Sequence, residues 1–101
     1  EDVSIFDLIS AFNEALKKAP REELQEIFAE RFTVAEKVDF ILDIMRNKGK
    51  ASLSRMLSGM THRFEMVCTF LAILELIRLK RVRAKQSEHF GDIDLVPVEE
   101  D

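Results

Sequence analysis

One stretch constrains this chain more than any other. From Thr61 to Lys80 the spacing predicts a single long helix, and between Phe64 and Leu79 only Glu65, Thr69, Glu75 and Arg78 are polar. A helix on the surface of a small domain shows one apolar stripe and one wet face. This helix is too apolar for a single core face. On a wheel of about 100° per residue, Phe64, Val67, Cys68, Leu71 and Ala72 fall on one arc, and Met66, Phe70, Leu74 and Ile77 on the neighbouring one. A chain of 101 residues buries only about two-thirds of its unfolded surface and rarely wraps a helix on every side. One arc is therefore expected in the core and the other on a docking surface, because contiguous exposed apolar patches mark partners.

The rest of the chain is read around that helix. Ser4 with Asp7 is a helix-start signature, and Ile5, Leu8, Ile9, Phe12 and Leu16 repeat at helical spacing, giving an amphipathic helix at 4–18. Residues 19–33 read as a helical connector with apolar Leu24, Ile27 and Phe28 and acidic Glu22, Glu23 and Glu26. Thr33 with Glu36 is a capping box, followed by the stripe Val34, Val38, Ile41, Leu42 and Met45, and Gly49 is the stop. Ser52 caps a two-turn helix over Leu53, Met56 and Leu57. After the turn at 58–60 comes the long helix, completing a helix-turn-helix.

From Arg81 the period changes to two: Val82 and Ala84 alternate with Arg81, Arg83 and Lys85, as a half-buried strand requires. Residues 87–91 supply the turn, and Ile93 and Leu95 alternate with Asp92 and Asp94 in a second strand ending near Pro97. The expected fold is mainly α with a small β-hairpin. It is a winged helix-turn-helix at 33–98, preceded by an N-terminal amphipathic helix within a helical linker region at 1–32 and followed by an acidic tail at 99–101.

The composition excludes several classes of function. No run of eighteen apolar residues and no charged-then-apolar leader is present, so no membrane span or signal peptide is expected. The start at Glu1 reads as a piece of something longer. The single cysteine, Cys68, reads as a small core residue in a reducing cytoplasm. His62 and His89 lie far apart and read as surface residues, with no acid cluster between them. Catalysis needs a base within reach of its target, zinc needs four close ligands, and a phosphate loop needs clustered glycines. None of these patterns is present, so no enzyme, cofactor or metal is expected.

The net charge of −4 conceals a segregation: residues 1–45 carry net −6, residues 46–85 net +8 and residues 86–101 net −6. A basic middle suits nucleic acid or an acidic protein face. Winged helices read DNA by placing the second helix of the helix-turn-helix in the major groove, where Arg, Lys, Asn or Gln meets base edges. From Phe64 to Ile77 this helix offers none of them. Arg78, Lys80, Arg81, Arg83 and Lys85 suit phosphates or an acidic surface instead. A DNA-binding transcriptional regulator with a basic wing is the alternative reading.

The run TFLAILELIRLKRVRAKQSEHFGDIDL, 69–95, resembles the C-terminal winged-helix domain of kleisins, most closely that of the segregation and condensation protein A family. The resemblance rests on FLAILEL at 70–76, on Val82, Arg83 and Gln86, and on FGDI at 90–93. IFDLISAFNEALKKA at 5–19 and FTVAEKVDFILDIM at 32–45 are similar to the helices that precede and open that domain. It implies a non-enzymatic adaptor, cytoplasmic and nucleoid-associated, that docks on the ATPase head of an SMC (structural maintenance of chromosomes) protein. A segregation and condensation protein B dimer would bind the N-terminal or missing part, and DNA would be held indirectly by the closed ring. No membrane contact is implied. By this resemblance Phe70 and Leu74 face the head, so Met66, Phe70, Leu74 and Ile77 are the expected seam, with Ile93 and Leu95 of the hairpin as a second candidate. The helix at 4–18 must fold back or meet another chain. Ile5, Ile9, Phe12 and Leu16 favour self-association.

Overall fold

The computed structural model describes residues 3–19, 32–86 and 92–98. Residues 20–31 of the connector expected at 19–33, the expected hairpin turn with His89 and the acidic tail at 99–101 lie outside them. The described residues are mainly helical with a small antiparallel sheet, in the order α1 (Ile5–Lys18), α2 (Val34–Lys48), β1 (Ala51–Ser52), α3 (Leu53–Ser58), α4 (Arg63–Arg78), β2 (Val82–Gln86) and β3 (Ile93–Pro97). The fold class expected from the sequence is thus found, with a third strand added.

Local chemistry sets the boundaries. At α1 the Asp7 N–H donates to Ser4 Oγ at 3.2 Å and the Ser4 N–H donates back to the Asp7 carboxylate at 3.1 Å. Thr33 and Glu36 repeat the arrangement at α2, with the Glu36 N–H 3.0 Å from Thr33 Oγ1. These reciprocal bonds satisfy amide groups that the first helical turn leaves without partners. Gly49 closes α2 in the left-handed region at φ 80°, where a Cβ would be strained. Ser52 Oγ accepts from the Arg55 N–H at 3.3 Å and so starts α3.

The long helix is shorter than its spacing predicts. It starts at Arg63 behind His62, whose side chain makes no cap bond. Its end is a Schellman turn: the Arg81 N–H donates to the Leu76 carbonyl at 2.9 Å, and the Lys80 N–H to the Ile77 carbonyl at 3.0 Å. That turn needs a left-handed residue, and Lys80 fills it at φ 61°. Glycine takes this conformation without the Cβ clash, which costs roughly 1–2 kcal/mol. Lys80→Gly is therefore expected to raise stability by about 1 kcal/mol in urea unfolding, and an unchanged or lower midpoint would show that the lysine side chain offsets its own strain.

β3 lies between β1 and β2, both antiparallel to it. Ala84 pairs with Leu95 and Gln86 with Ile93, which places Val82, Ala84, Ile93 and Leu95 on the face toward the helices. β1 pairs Ala51 with Leu95 and Ser52 with Asp94. Two residues are too few to display a period of two, so β1 has no sequence signature. The core is filled by Ile41 and Met45 of α2, Leu53 and Leu57 of α3, Ala72, Ile73 and Leu76 of α4, and Val82, Ile93 and Leu95 of the sheet.

α1 folds back on this body. Leu8 and Phe12 are buried, Leu16 is half-buried, and the Phe12 ring stacks on Phe70 with centroids 4.4 Å apart. Arg63 donates to the Leu16 carbonyl at 2.9 Å. This corrects the expected self-association face, because Phe12 and Leu16 are already covered. Ile5, Phe6 and Ile9 remain exposed.

Candidate functional site: the outer face of the long helix

The inner face of α4 is drawn by Met66, Thr69, Ile73 and Leu76, all at most 2% exposed. They follow a three-four-three spacing, which keeps one stripe of a helix against its neighbours. Thr69 is the one polar member. Its hydroxyl donates to the Glu65 carbonyl one turn back at 2.8 Å and so is satisfied without water.

The flanks of α4 are held by different elements. On one side Phe70 meets Phe12 and Arg63 meets the carbonyl of Leu16, both from α1. On the other, Lys37 of α2 reaches Glu65 with Nζ 2.7 Å from the carboxylate, and Cys68 Sγ donates to the Phe32 carbonyl at 3.7 Å. The Lys37–Glu65 pair is largely buried, with 11% and 18% side-chain exposure. Lys37 Nζ also lies 4.9 Å from the Phe40 ring centroid and 5.6 Å from that of Phe32, where ring quadrupoles favour a cation. Burial pushes the Cys68 thiol above its ordinary value, which suits an inert packing residue.

Between these flanks Phe64, Val67 and Leu71 stand exposed at 39%, 36% and 46%. Leu74, half-buried, continues the line. Residues 64, 67, 71 and 74 carry the same three-four-three spacing as the inner stripe, so α4 bears two parallel apolar seams. One is spent on the core. The other is open to solvent at Phe64, Val67 and Leu71.

The seam expected from the sequence is therefore displaced. Met66 at 2%, Ile93 at 3% and Leu95 at 0% are core residues and are corrected as surface contacts. Phe70, Leu74 and Ile77 are half-buried and packed against the core, with Phe70 partly covered by α1. The open positions Phe64, Val67 and Leu71 belong to the other arc, whose Cys68 and Ala72 alone are buried. Ile73 and Leu76, which fit neither arc, fix the inward direction. Their spacing from Met66 and Thr69 was the available signal, and the polar label on Thr69 hides it.

The expected basic residues divide into two groups. Arg78 is taken by Glu75, its guanidinium 2.7 Å from the carboxylate. Lys80, Arg81, Arg83 and Lys85 are exposed. Arg83 sits opposite Val96 and Lys85 opposite Asp94 on the outer side of the sheet.

The sheet is tied to α3 by a carboxylate. Ser52 Oγ donates to the Asp92 side chain, and the Ile93 N–H donates to it at 2.9 Å. Desolvation raises the Asp92 carboxyl, but bonds from the Ser52 and Ser54 side chains and from the Ile93 and Ser54 backbone outweigh it and hold the group below its usual value. A carboxyl depressed in the folded state contributes stability at pH above its unfolded value of about 3.9, and that contribution fades as pH falls through the lower folded value. Asp92→Asn should therefore lower stability at pH 7 and flatten the loss as pH falls below about 4 in thermal melts. Equal acid sensitivity in wild type and variant would mean that other carboxylates set it.

Among the described residues no group of three or more His, Cys, Asp or Glu side chains is placed to hold a metal ion. No helix among them is long and apolar enough to cross a membrane.

Comparison with known proteins gives a consistent result. The family described as segregation and condensation protein ScpA matches over residues 1–97. The segregation and condensation protein A of Halothermothrix orenii is 33% identical, covering 93% of this chain and 42% of its own length. That of Lactococcus lactis subsp. lactis is 34% identical, covering 94% and 40%, and that of Caldanaerobacter subterraneus subsp. tengcongensis 32% identical, covering 89% and 37%. The chain thus spans about two-fifths of the length of these relatives. No solved structure matches it.

Proposed function

Since the chain belongs to the segregation and condensation protein A family, we propose that it is a non-catalytic adaptor whose α4 seam docks on the ATPase head of an SMC protein. The observation that carries this reading is the open seam of Phe64, Val67 and Leu71, with Leu74 at its rim. An apolar stripe left at the surface while its twin fills the core is what a docking helix requires. Fully burying a Phe, Val or Leu side chain yields about 1.5–3 kcal/mol, so a few anchors suffice to dominate a small interface. Docking at one head while the remainder of the protein binds another closes a ring that acts in chromosome condensation and segregation. ATP chemistry stays with the partner, a segregation and condensation protein B dimer binds the part N-terminal to this domain, and the assembly works in the cytoplasm on the nucleoid.

Sequence-specific DNA reading by α4 is not favoured, because its open face is apolar and carries no side chain suited to base edges. The test is calorimetric titration of this chain into the matching SMC ATPase head. Roughly equimolar, saturable binding with a negative heat-capacity change supports apolar docking. Absence of binding at tens of micromolar would overturn it.

A further inference from the structure

A second surface lies away from the α4 seam. Lys80 in the left-handed turn, Arg81 just before β2, and Arg83 and Lys85 along β2 follow at short intervals on the chain, and all four are exposed. The structure gives none of these side chains an ion-pair or hydrogen-bond partner among the described residues. Alternation places Arg81, Arg83 and Lys85 on the sheet face opposite the core, where Arg83 faces Val96 and only Lys85 has an acid, Asp94, across from it. β2 is an edge strand, and a charge on an edge guards against unwanted pairing. One lysine would serve that purpose. Three outward positions in succession, preceded by a lysine kept in a conformation that glycine would adopt without strain, call for a ligand.

We propose that this row binds the phosphate backbone of double-stranded nucleic acid without regard to sequence. Residues two apart on extended chain are about 6.7 Å apart, so Arg83 and Lys85 on β2, with Arg81 leading into it, span roughly 13 Å. Such a row presents evenly spaced positive charges to a polymer whose negative charges are themselves evenly spaced. Protein surfaces carry carboxylates at irregular spacing and are a poorer match. Side chains that form paired bonds with adenine are missing from the row, and its arginines stand on a strand face rather than on a groove-filling helix, so the contact fixes position and does not read sequence. With the α4 seam on a partner, the sheet face is left to lie on the duplex. The chain as a whole is net −4, so overall charge would repel nucleic acid and any affinity must come from a local cluster.

The test is fluorescence anisotropy of a labelled mixed-sequence duplex, titrated with this chain at several salt concentrations. Each neutralised phosphate contributes about −0.9 to the slope of log affinity against log salt, so four contacts predict a slope near −3.6. The variant K80Q/R81Q/R83Q/K85Q should bind at least tenfold more weakly at low salt and lose most of that slope. Its circular dichroism and its affinity for the SMC head should be unchanged. If the fourfold change lowers the melting temperature, R83Q/K85Q, which leaves the helix-ending turn intact, should remove about half of the slope. Duplex binding with no salt dependence, or an unchanged slope in the variants, would overturn the proposal. So would a wild type without DNA affinity whose cation variants lose head binding, since the row would then serve an acidic protein face. Failure of head docking alone leaves the duplex measurement intact, so the two readings fall separately.

Discussion

Leu71→Arg is expected to weaken binding to the SMC head by at least about 100-fold while leaving helicity and melting temperature unchanged. Leu71 is 46% exposed and stands at the middle of the open seam. On the proposed docking the substitution would remove up to about 3 kcal/mol of apolar burial and set a charge among the apolar contacts, and each 1.4 kcal/mol is a factor of ten. Val67→Arg should behave in the same way. The control lies two residues on: Ile73, at 0% exposure, belongs to the inner stripe, and Ile73→Ala should cost about 2–5 kcal/mol of folding stability with little effect on affinity among molecules still folded. If Leu71→Arg instead lowers the melting temperature as far as Ile73→Ala does, the outer stripe is structural. If it binds the head normally, the interface lies elsewhere.

The second large effect concerns Lys37 and Glu65, which join α2 to α4 at the edge of that seam. Removing one member of a largely buried pair leaves an uncompensated charge, which costs about 3–5 kcal/mol in fully buried cases. With 11% and 18% exposure water softens the penalty, and Lys37→Ala should cost about 2–4 kcal/mol. Part of that loss comes from the contacts of the ammonium with Phe32 and Phe40. The double replacement Lys37→Met with Glu65→Leu should recover most of the stability, because a matched apolar pair carries no desolvation cost. A double variant less stable than either single one would mean that the charge pair contributes more than its geometry suggests. Chemical denaturation of the wild type, Lys37→Met, Glu65→Leu and the double variant closes the cycle.

The readable parts of the fold were those governed by short-range rules. The capping boxes at Ser4 and Thr33 and the glycine stop at 49 are decided within four residues, and each is found where the pattern places it. The alternation from Val82 onward likewise gives β2 and β3. β1 is different, since Ala51–Ser52 is a strand only because β3 lies beside it. The direction of α4 was hard to read for a related reason. A helix with two apolar seams satisfies the core with either one, and the choice is made by what α1, α2 and the sheet present to it. Thr69 added to the ambiguity, because its hydroxyl is satisfied by its own helix and it can be buried like a valine. The folding back of α1 brings Phe12 onto Phe70 and Arg63 onto the Leu16 carbonyl, pairings between residues far apart that periodicity does not report.

The central place of β3 also governs the order in which the domain can be made. Ser52 and Asp92, joined by a side-chain hydrogen bond, are 40 residues apart in the chain, and β1 and β2 touch β3 rather than each other. Neither outer strand has a neighbour to pair with until residues 93–97 arrive. During synthesis α2, α3 and α4 can form and collapse early, since helices rest on local contacts. The sheet closes only once its last strand has emerged, and in the interval the sheet-facing side chains of α4 stay uncovered. A nascent chain emerged as far as β2 but not yet residue 93 would thus present a helical body without its floor, a stage with apolar surface for a chaperone to engage.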